Sequence, residues 1–318
     1  LAAELTIGLD IGGTKMAFVV ADRHGKIHQR STLPTDAGSD FATALNRIAQ
    51  QLNQLTATYQ SVRGIGIGVP GPVDSERGFA LHAANLGWKN LSLRDAITER
   101  LSPQRPVYID NDVNAGAIGE RLFGAALGSP SFVYLAVGTG LGGAIMLNNK
   151  LIRGASNSAM EIGHLSLDPI HGLPCACGLR GCLEMTASGK GIVARAYEHI
   201  ADYPDSPLRA DAITTHRIID LAQAGDRLAA RVMSEAAHAL GIACAFCVSL
   251  FNPSLIIIAG GFAQASWHLL EAPLRQSMSS RCLPLNVDAV EITLSPLADA
   301  ALGASALVWH HDAPKEVS

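Results

Sequence analysis

Leu5-Thr6-Ile7-Gly8-Leu9-Asp10-Ile11-Gly12-Gly13-Thr14-Lys15-Met16-Ala17-Phe18-Val19-Val20-Ala21 is the stretch from which the fold can be read. Two apolar runs flank paired glycines, a pattern that predicts strand, tight turn, strand. Asp22-Arg23-His24-Gly25 reads as another turn, leading to a third strand over 27–33. The spacing of Phe41, Leu45, Ile48, Leu52 and Leu55 predicts a helix over 40–59. A buried strand over 62–69 follows and ends at Pro70-Gly71-Pro72. The order is α/β, built on a meander of strands rather than on a simple doubly wound sheet.

A similar series begins after the strand 107–110 and the helix that follows Asp112. Residues 132–137, the turn Gly138-Thr139-Gly140 and residues 142–147 repeat strand, glycine turn, strand, so the two turns read as related elements in two halves. Helices are expected over 189–200, 214–224 and 227–251, then a strand over 255–259 and a turn at Gly260-Gly261. A helix over 267–278, a strand over 290–294 and a last helix over 299–309 complete the pattern, with a frayed tail after His311.

At 318 residues the chain is long enough for about two domains, and 48% hydrophobic against 16% charged residues supplies ample core material. Lys and Arg number 24 against 28 Asp and Glu, with no basic run, so the usual attraction to a nucleic-acid backbone is missing. The longest apolar stretches, 239–251 and 255–263, fall short of a bilayer crossing, and no leader-like segment opens the chain. The expectation is a soluble, cytoplasmic protein without membrane or nucleic-acid partners. Six cysteines in a chain of this size and character do not suggest a disulfide framework.

Asp10-Ile11-Gly12-Gly13-Thr14-Lys15 sets a carboxylate, a hydroxyl and an ammonium around glycine backbone, the equipment that a metal-bound triphosphate requires. Asp10 would face Mg²⁺, and Thr14 and Lys15 the phosphates. The loop is no Walker motif, which needs four residues between its glycine and Gly-Lys. Gly138-Thr139-Gly140-Leu141-Gly142-Gly143 lies between strands rather than opening a helix, so it fails the context of a dinucleotide fingerprint. It supplies instead a second set of backbone donors. Gly64-Ile65-Gly66-Ile67-Gly68 reads as a strand packed closely on a helix. Asp110-Asn111-Asp112 stands between strand and helix, where one such residue is an ordinary N-cap. Three together can also take a proton from a hydroxyl and orient it.

Cys175-Ala176-Cys177-Gly178-Leu179-Arg180-Gly181-Cys182 packs three thiols into one glycine-bounded knuckle, the donor set of a closed zinc site. His164 is the best fourth ligand, with His171 its rival in a Pro/Gly-rich loop. No position is left for water, so the metal reads as a brace that would hold Glu161 and Glu184 close together. Cys244 and Cys247, one turn apart in an apolar helix, read as core.

Glu161-Ile162-Gly163-His164, paired with the knuckle and Glu184, resembles the ROK family of bacterial sugar kinases and related repressors, and the likeness runs from about residue 6 to 306. It implies the actin-like, ribonuclease H-like two-domain ATPase fold, with residues 1–114 plus 299–318 in a small lobe and 115–298 in a larger one. It makes Asp112 the general base, and Gly71, Asn111, Glu161, His164 and Glu184 substrate-contacting residues. His164 would use one ring nitrogen on zinc and the other toward the sugar. Asp10, Gly12, Gly13, Thr14 and Lys15 match the first phosphate site. Gly138, Thr139, Gly140, Gly142 and Gly143 match the second, and Gly260 and Gly261 the adenosine side. The implied reaction is transfer from MgATP to a hexose, with glucose favoured by Asn85-Leu86-Gly87-Trp88 and an N-acetylhexosamine as the alternative. Met160 departs from the family, which often has glycine there. The family's repressors carry a DNA-binding segment ahead of the first loop, where only nine residues stand here; a noncatalytic sugar binder is the third reading. A dimer or tetramer is the family's usual assembly.

Overall fold

The computed structural model describes residues 4–36, 40–297 and 299–312. In chain order its strands and α-helices are β1 (Leu5–Ile11), β2 (Lys15–Asp22), β3 (Ile27–Pro34), α1 (Phe41–Thr58), β4 (Val62–Val69), β5 (Val73–Asp74), β6 (Phe79–Ala83), β7 (Trp88–Ser92), α2 (Leu93–Thr98), β8 (Val107–Asn111) and α3 (Asp112–Phe123). There follow β9 (Phe132–Val137), β10 (Leu141–Leu147), β11 (Lys150–Leu151), α4 (Gly189–His199), α5 (Thr215–Gln223), α6 (Arg227–Phe251), β12 (Leu255–Ala259), α7 (Gly261–Ser279), α8 (Pro284–Ala289), β13 (Glu291–Leu294) and α9 (Ala300–Asp312).

Two compact units result. The first runs to Ser129, takes in Leu151–Ala159 and resumes at Pro296; the second is Pro130–Lys150 with Met160–Ser295. The expected lobe boundary after residue 114 is not where the contacts divide, because α3 packs on α9 within the first unit. Gly119 makes that approach possible: a Cβ there would lie 2.7 Å from Gly303 Cα.

The first unit's main sheet has the order β3-β2-β1-β4-β8, antiparallel across β3, β2 and β1 and parallel from β1 through β4 to β8. The central strands β1 and β4 are buried almost throughout, which is why they read as continuous apolar runs. Helix α9 lies directly on them. A Cβ at Gly8 would meet Ala301 O at 1.9 Å and one at Gly66 would meet Ala304 O at 1.9 Å, so the glycines of β4 do mark close helix packing. Asp40 caps α1 by accepting Thr43 N–H, and Leu45, Ile48, Leu52 and Leu55 face the core. A small sheet, β5-β6-β7, was not legible in advance.

In the second unit the order is β11-β10-β9-β12-β13, again antiparallel then parallel. Helix α7 begins at Gly261, six residues before the expected start, with Gly260 as its N-cap. Helix α6 is long and apolar enough, by length and composition alone, to cross a membrane. Its apolar residues, among them Val232, Leu240 and Val248, are buried in the second unit's own core. All six cysteines are free thiols, with Cys244 and Cys247 buried as expected. Asp312 ends α9, and the rest of the anticipated tail lies outside the described residues.

Candidate active site

Strand order decides what meets in the first unit. Asp10, Gly68 and Asp110 pair in register across β1, β4 and β8, so the parallel strands deliver three loops to one end of the sheet. A Cβ on Gly68 would stand 3.3 Å from Asp112 Cα and 3.6 Å from Asp10 Oδ1, which places both acids beside the same glycine. The sequence pattern marks Gly68 only as strand packing; its place between two carboxylates depends on strand order.

Burial and the neighbouring Asp299 raise the Asp10 carboxyl to about 6, against the opposing pull of Lys15. A carboxyl whose charge is made costly by burial and a second acid is suited to facing a cation. The β1–β2 turn is tied by Gly12 N–H to Lys15 O at 2.9 Å, while Thr35 Oγ1 donates to Gly12 O at 2.7 Å. Gly13 lies beside Asn85, with an added Cβ 3.6 Å from the Asn85 Cβ, so the Asn85–Trp88 segment borders the first loop.

Asn111 caps α3, its Oδ1 accepting from Val113 N and Asn114 N. Its Nδ2 donates to Asp112 Oδ1 and to Gly71 O, each at 3.0 Å. Gly71 has φ 82, and a Cβ would strike His82 O at 2.1 Å. Gly71, Asn111 and Asp112 therefore form one hydrogen-bonded patch. Asp110, also in the triplet, is differently employed: it is 1% exposed and pairs with Arg153, a residue without a signal in the sequence pattern.

In the second unit the β9–β10 turn is closed by Gly138 N–H to Gly140 O at 2.9 Å, with Gly142 and Gly143 already in β10. Its outer face rests on α4: Gly189 N–H donates to Gly138 O at 2.8 Å and Lys190 N–H to Thr139 O at 3.2 Å. Glu184 lies against the same turn, its Oε2 accepting Leu141 N–H at 3.1 Å and its Oε1 lying 2.5 Å from Lys190 Nζ. Lys190 was missed because a lone lysine in a helix's first turn has no distinguishing pattern. Gly260, with φ 96, packs on Val137, where a Cβ would come within 2.6 Å of the carbonyl; Gly261 follows it into α7.

His164, Cys175, Cys177 and Cys182 converge, their ligand atoms all within 4.8 Å of one another. His164 Nδ1 is 3.7 Å from Cys175 Sγ, and the Cys177 and Cys182 sulfurs are 3.6 Å apart. Four ligands at zinc-like bond lengths of about 2.0–2.3 Å would be separated by about 3.5–3.8 Å, so the donors suit a tetrahedral ion. Burial resists ionisation of Cys177, but the Leu179 N–H and the adjacent thiols hold it below the ordinary thiol range. Burial and Cys177 push Cys182 up to about 12. A divalent cation would offset that cost. His171 is exposed and pairs with Asp168, outside the cluster. The Nε2 of His164 faces Glu161, 4.0 Å from its Oε2. Met160, which precedes Glu161, has φ 63, the conformation that glycine adopts without strain.

Two sheets of matching order, each led by a glycine turn, belong to the two-domain actin-like ATPase class. The ROK family model matches residues 6–311, and the chain belongs to the ROK family. It is 34% identical over 306 residues to the glucokinase of Halalkalibacterium halodurans, covering 93% of this chain and 91% of that one. It is also 34% identical over 312 residues to the xylose repressor of Caldicellulosiruptor bescii, covering 95% and 77% respectively. Among solved structures, a ROK family glucokinase from Streptomyces griseus in complex with glucose and AMPPNP superposes with TM-score 0.82 at 32% identity, covering 97% of this chain and 100% of that one. The glucokinase likenesses support sugar kinase activity; the family also includes repressors.

Proposed function

We propose that this chain is an ATP-dependent hexose kinase that phosphorylates glucose at its C6 hydroxyl. The observation that carries the reading is Asp112 at the first position of α3, directly after β8, with Oδ1 held by Asn111 Nδ2 and Val113 N–H, beside Asp10 across Gly68. A carboxylate oriented in this way can take the proton of a sugar hydroxyl as the hydroxyl attacks the γ-phosphorus. Asn111 and Gly71 fix that acceptor.

In the second unit, Glu161, His164 and Glu184 provide acceptors and a ring nitrogen for the other hydroxyls, with the cysteine cluster setting the direction of the imidazole. Zinc, held by His164, Cys175, Cys177 and Cys182, would supply rigidity there. Asp10 would hold Mg²⁺, whose charge would help neutralise the triphosphate, while Thr14, Lys15 and the glycine backbones of the two turns would bind its oxygens. Gly260 and Gly261 would border the adenosine.

An assay of ADP and sugar phosphate over a matrix of sugars and donors tests this reading. Glucose with MgATP is expected to give the highest kcat/KM. An N-acetylhexosamine in first place would replace the substrate, and sugar binding without ADP formation would establish a binder or regulator instead.

A further inference from the structure

Arg153 lies on the excursion Leu151–Ala159, which belongs to the first unit although the chain on either side belongs to the second. Its guanidinium meets the buried Asp110 as a two-pronged pair, Nη1 to Oδ1 at 2.8 Å and Nη2 to Oδ2 at 2.6 Å. Burial opposes the charge on Arg153, yet Asp110 more than offsets it and raises its pKa. Asp110 Oδ1 also accepts Asn114 Nδ2 at 3.0 Å and Asn111 N–H at 2.8 Å. Asn114 N–H and Val113 N–H in turn bind Asn111 Oδ1, whose amide nitrogen donates to Asp112. An unbroken series of hydrogen bonds therefore leads from Arg153 to the carboxylate of Asp112.

Arg153 is tied at its other end as well. Its carbonyl accepts Ala159 N–H at 3.0 Å, closing a small loop that opens with Gly154 at φ 72. Ala159 is followed directly by Met160 and Glu161. The side chain of Arg153 thus meets the strand that leads into Asp112, while its carbonyl closes a loop within the same unit.

We infer that Arg153 is a positioning residue for phosphoryl transfer, acting through Asp110 on Asp112; this rests on the kinase reading above. A lysine preserves the charge but not the planar fork, so it would support the carboxylate at one point only.

The test uses the full chain as Arg153→Lys, Arg153→Met and the double variant Asp110→Asn/Arg153→Met, which leaves no unpaired buried charge. Melting curves identify folded protein, and kcat and KM are measured for glucose and for ATP. In folded Arg153→Met and in the double variant, kcat is expected to fall at least tenfold and the glucose KM to rise severalfold, while the ATP KM stays within about threefold. Arg153→Lys should recover part of the loss. Wild-type kinetics in the folded double variant would overturn the inference alone, and failure of all three variants to fold would do the same by making the pair purely structural. A folded wild-type chain that phosphorylates no sugar with any donor overturns the kinase reading and the inference together.

Discussion

Gly140→Ala provides a demanding test of how Glu184 is held. The backbone of Gly140 is not left-handed, so alanine is admissible there conformationally, but its Cβ would sit 2.3 Å from Glu184 Oε2. Ordinary C···O contact begins at about 3.3 Å, so the carboxylate must move by about 1 Å. It cannot do so and keep Leu141 N–H at 3.1 Å together with Lys190 Nζ at 2.5 Å. Loss of one charged hydrogen bond costs about 1.5–3 kcal/mol. If that bond aims Glu184 at a sugar, glucose binding weakens by roughly 10- to 150-fold. Steady-state kinetics and calorimetry with glucose read this directly. The nucleotide KM should move less than about threefold, because the added methyl points at Glu184. An unchanged glucose affinity with a raised ATP KM would refute the reasoning, leaving Gly140 as a phosphate contact and Glu184 as a strut.

Asp112→Asn should fold normally and lose kcat by about 10²- to 10⁴-fold, measured by coupled ADP release; turnover near that of the unaltered chain would remove Asp112 from the base role. Metal analysis should find about one zinc per chain, and its chelation should raise the glucose KM and lower the melting temperature, with recovery on adding zinc back. His310 supplies a pH effect. Burial, with His311, Arg121 and Arg153, lowers its imidazole pKa to about 4, so between pH 6.5 and 4 the unfolded chain takes up a proton that the native one refuses. Its contribution is fully present above pH 6.5 and is lost as pH falls through 4, by at most about 3 kcal/mol. Asp10, raised to about 6, works oppositely as pH falls from 6 to 3.8. Urea titrations of His310→Phe should therefore show a shallower loss of stability on acidification than the unaltered chain.

Much of this chain could be read before any coordinates because its signals are local. A glycine pair between two apolar runs forces a turn whatever lies beyond, and the central strands declare themselves by burial on both faces. The knuckle is equally self-contained: Gly178 at φ 91 and Gly181 at φ 66 bend it, and three thiols within eight residues need little else to converge. The β5-β6-β7 sheet escaped notice because its strands have two to five residues and lack clean alternation. Helix α7 starts earlier than its apolar spacing predicts because Gly260-Gly261 reads as a turn, yet the second of these glycines opens the helix.

Local pattern alone determined the α/β class, the two glycine turns, the cysteine knuckle with its nearby histidine, and the family's motifs. Only tertiary structure decided that Gly8 and Gly66 seat α9, that Lys190 neutralises Glu184 and that Arg153 anchors Asp110. Asp110 and Arg153 are separated by 43 residues, and charges so far apart along a chain leave no periodic trace. Their meeting is set by the excursion Leu151–Ala159 folding back into the first unit beside the end of β8, which no pattern within either segment announces.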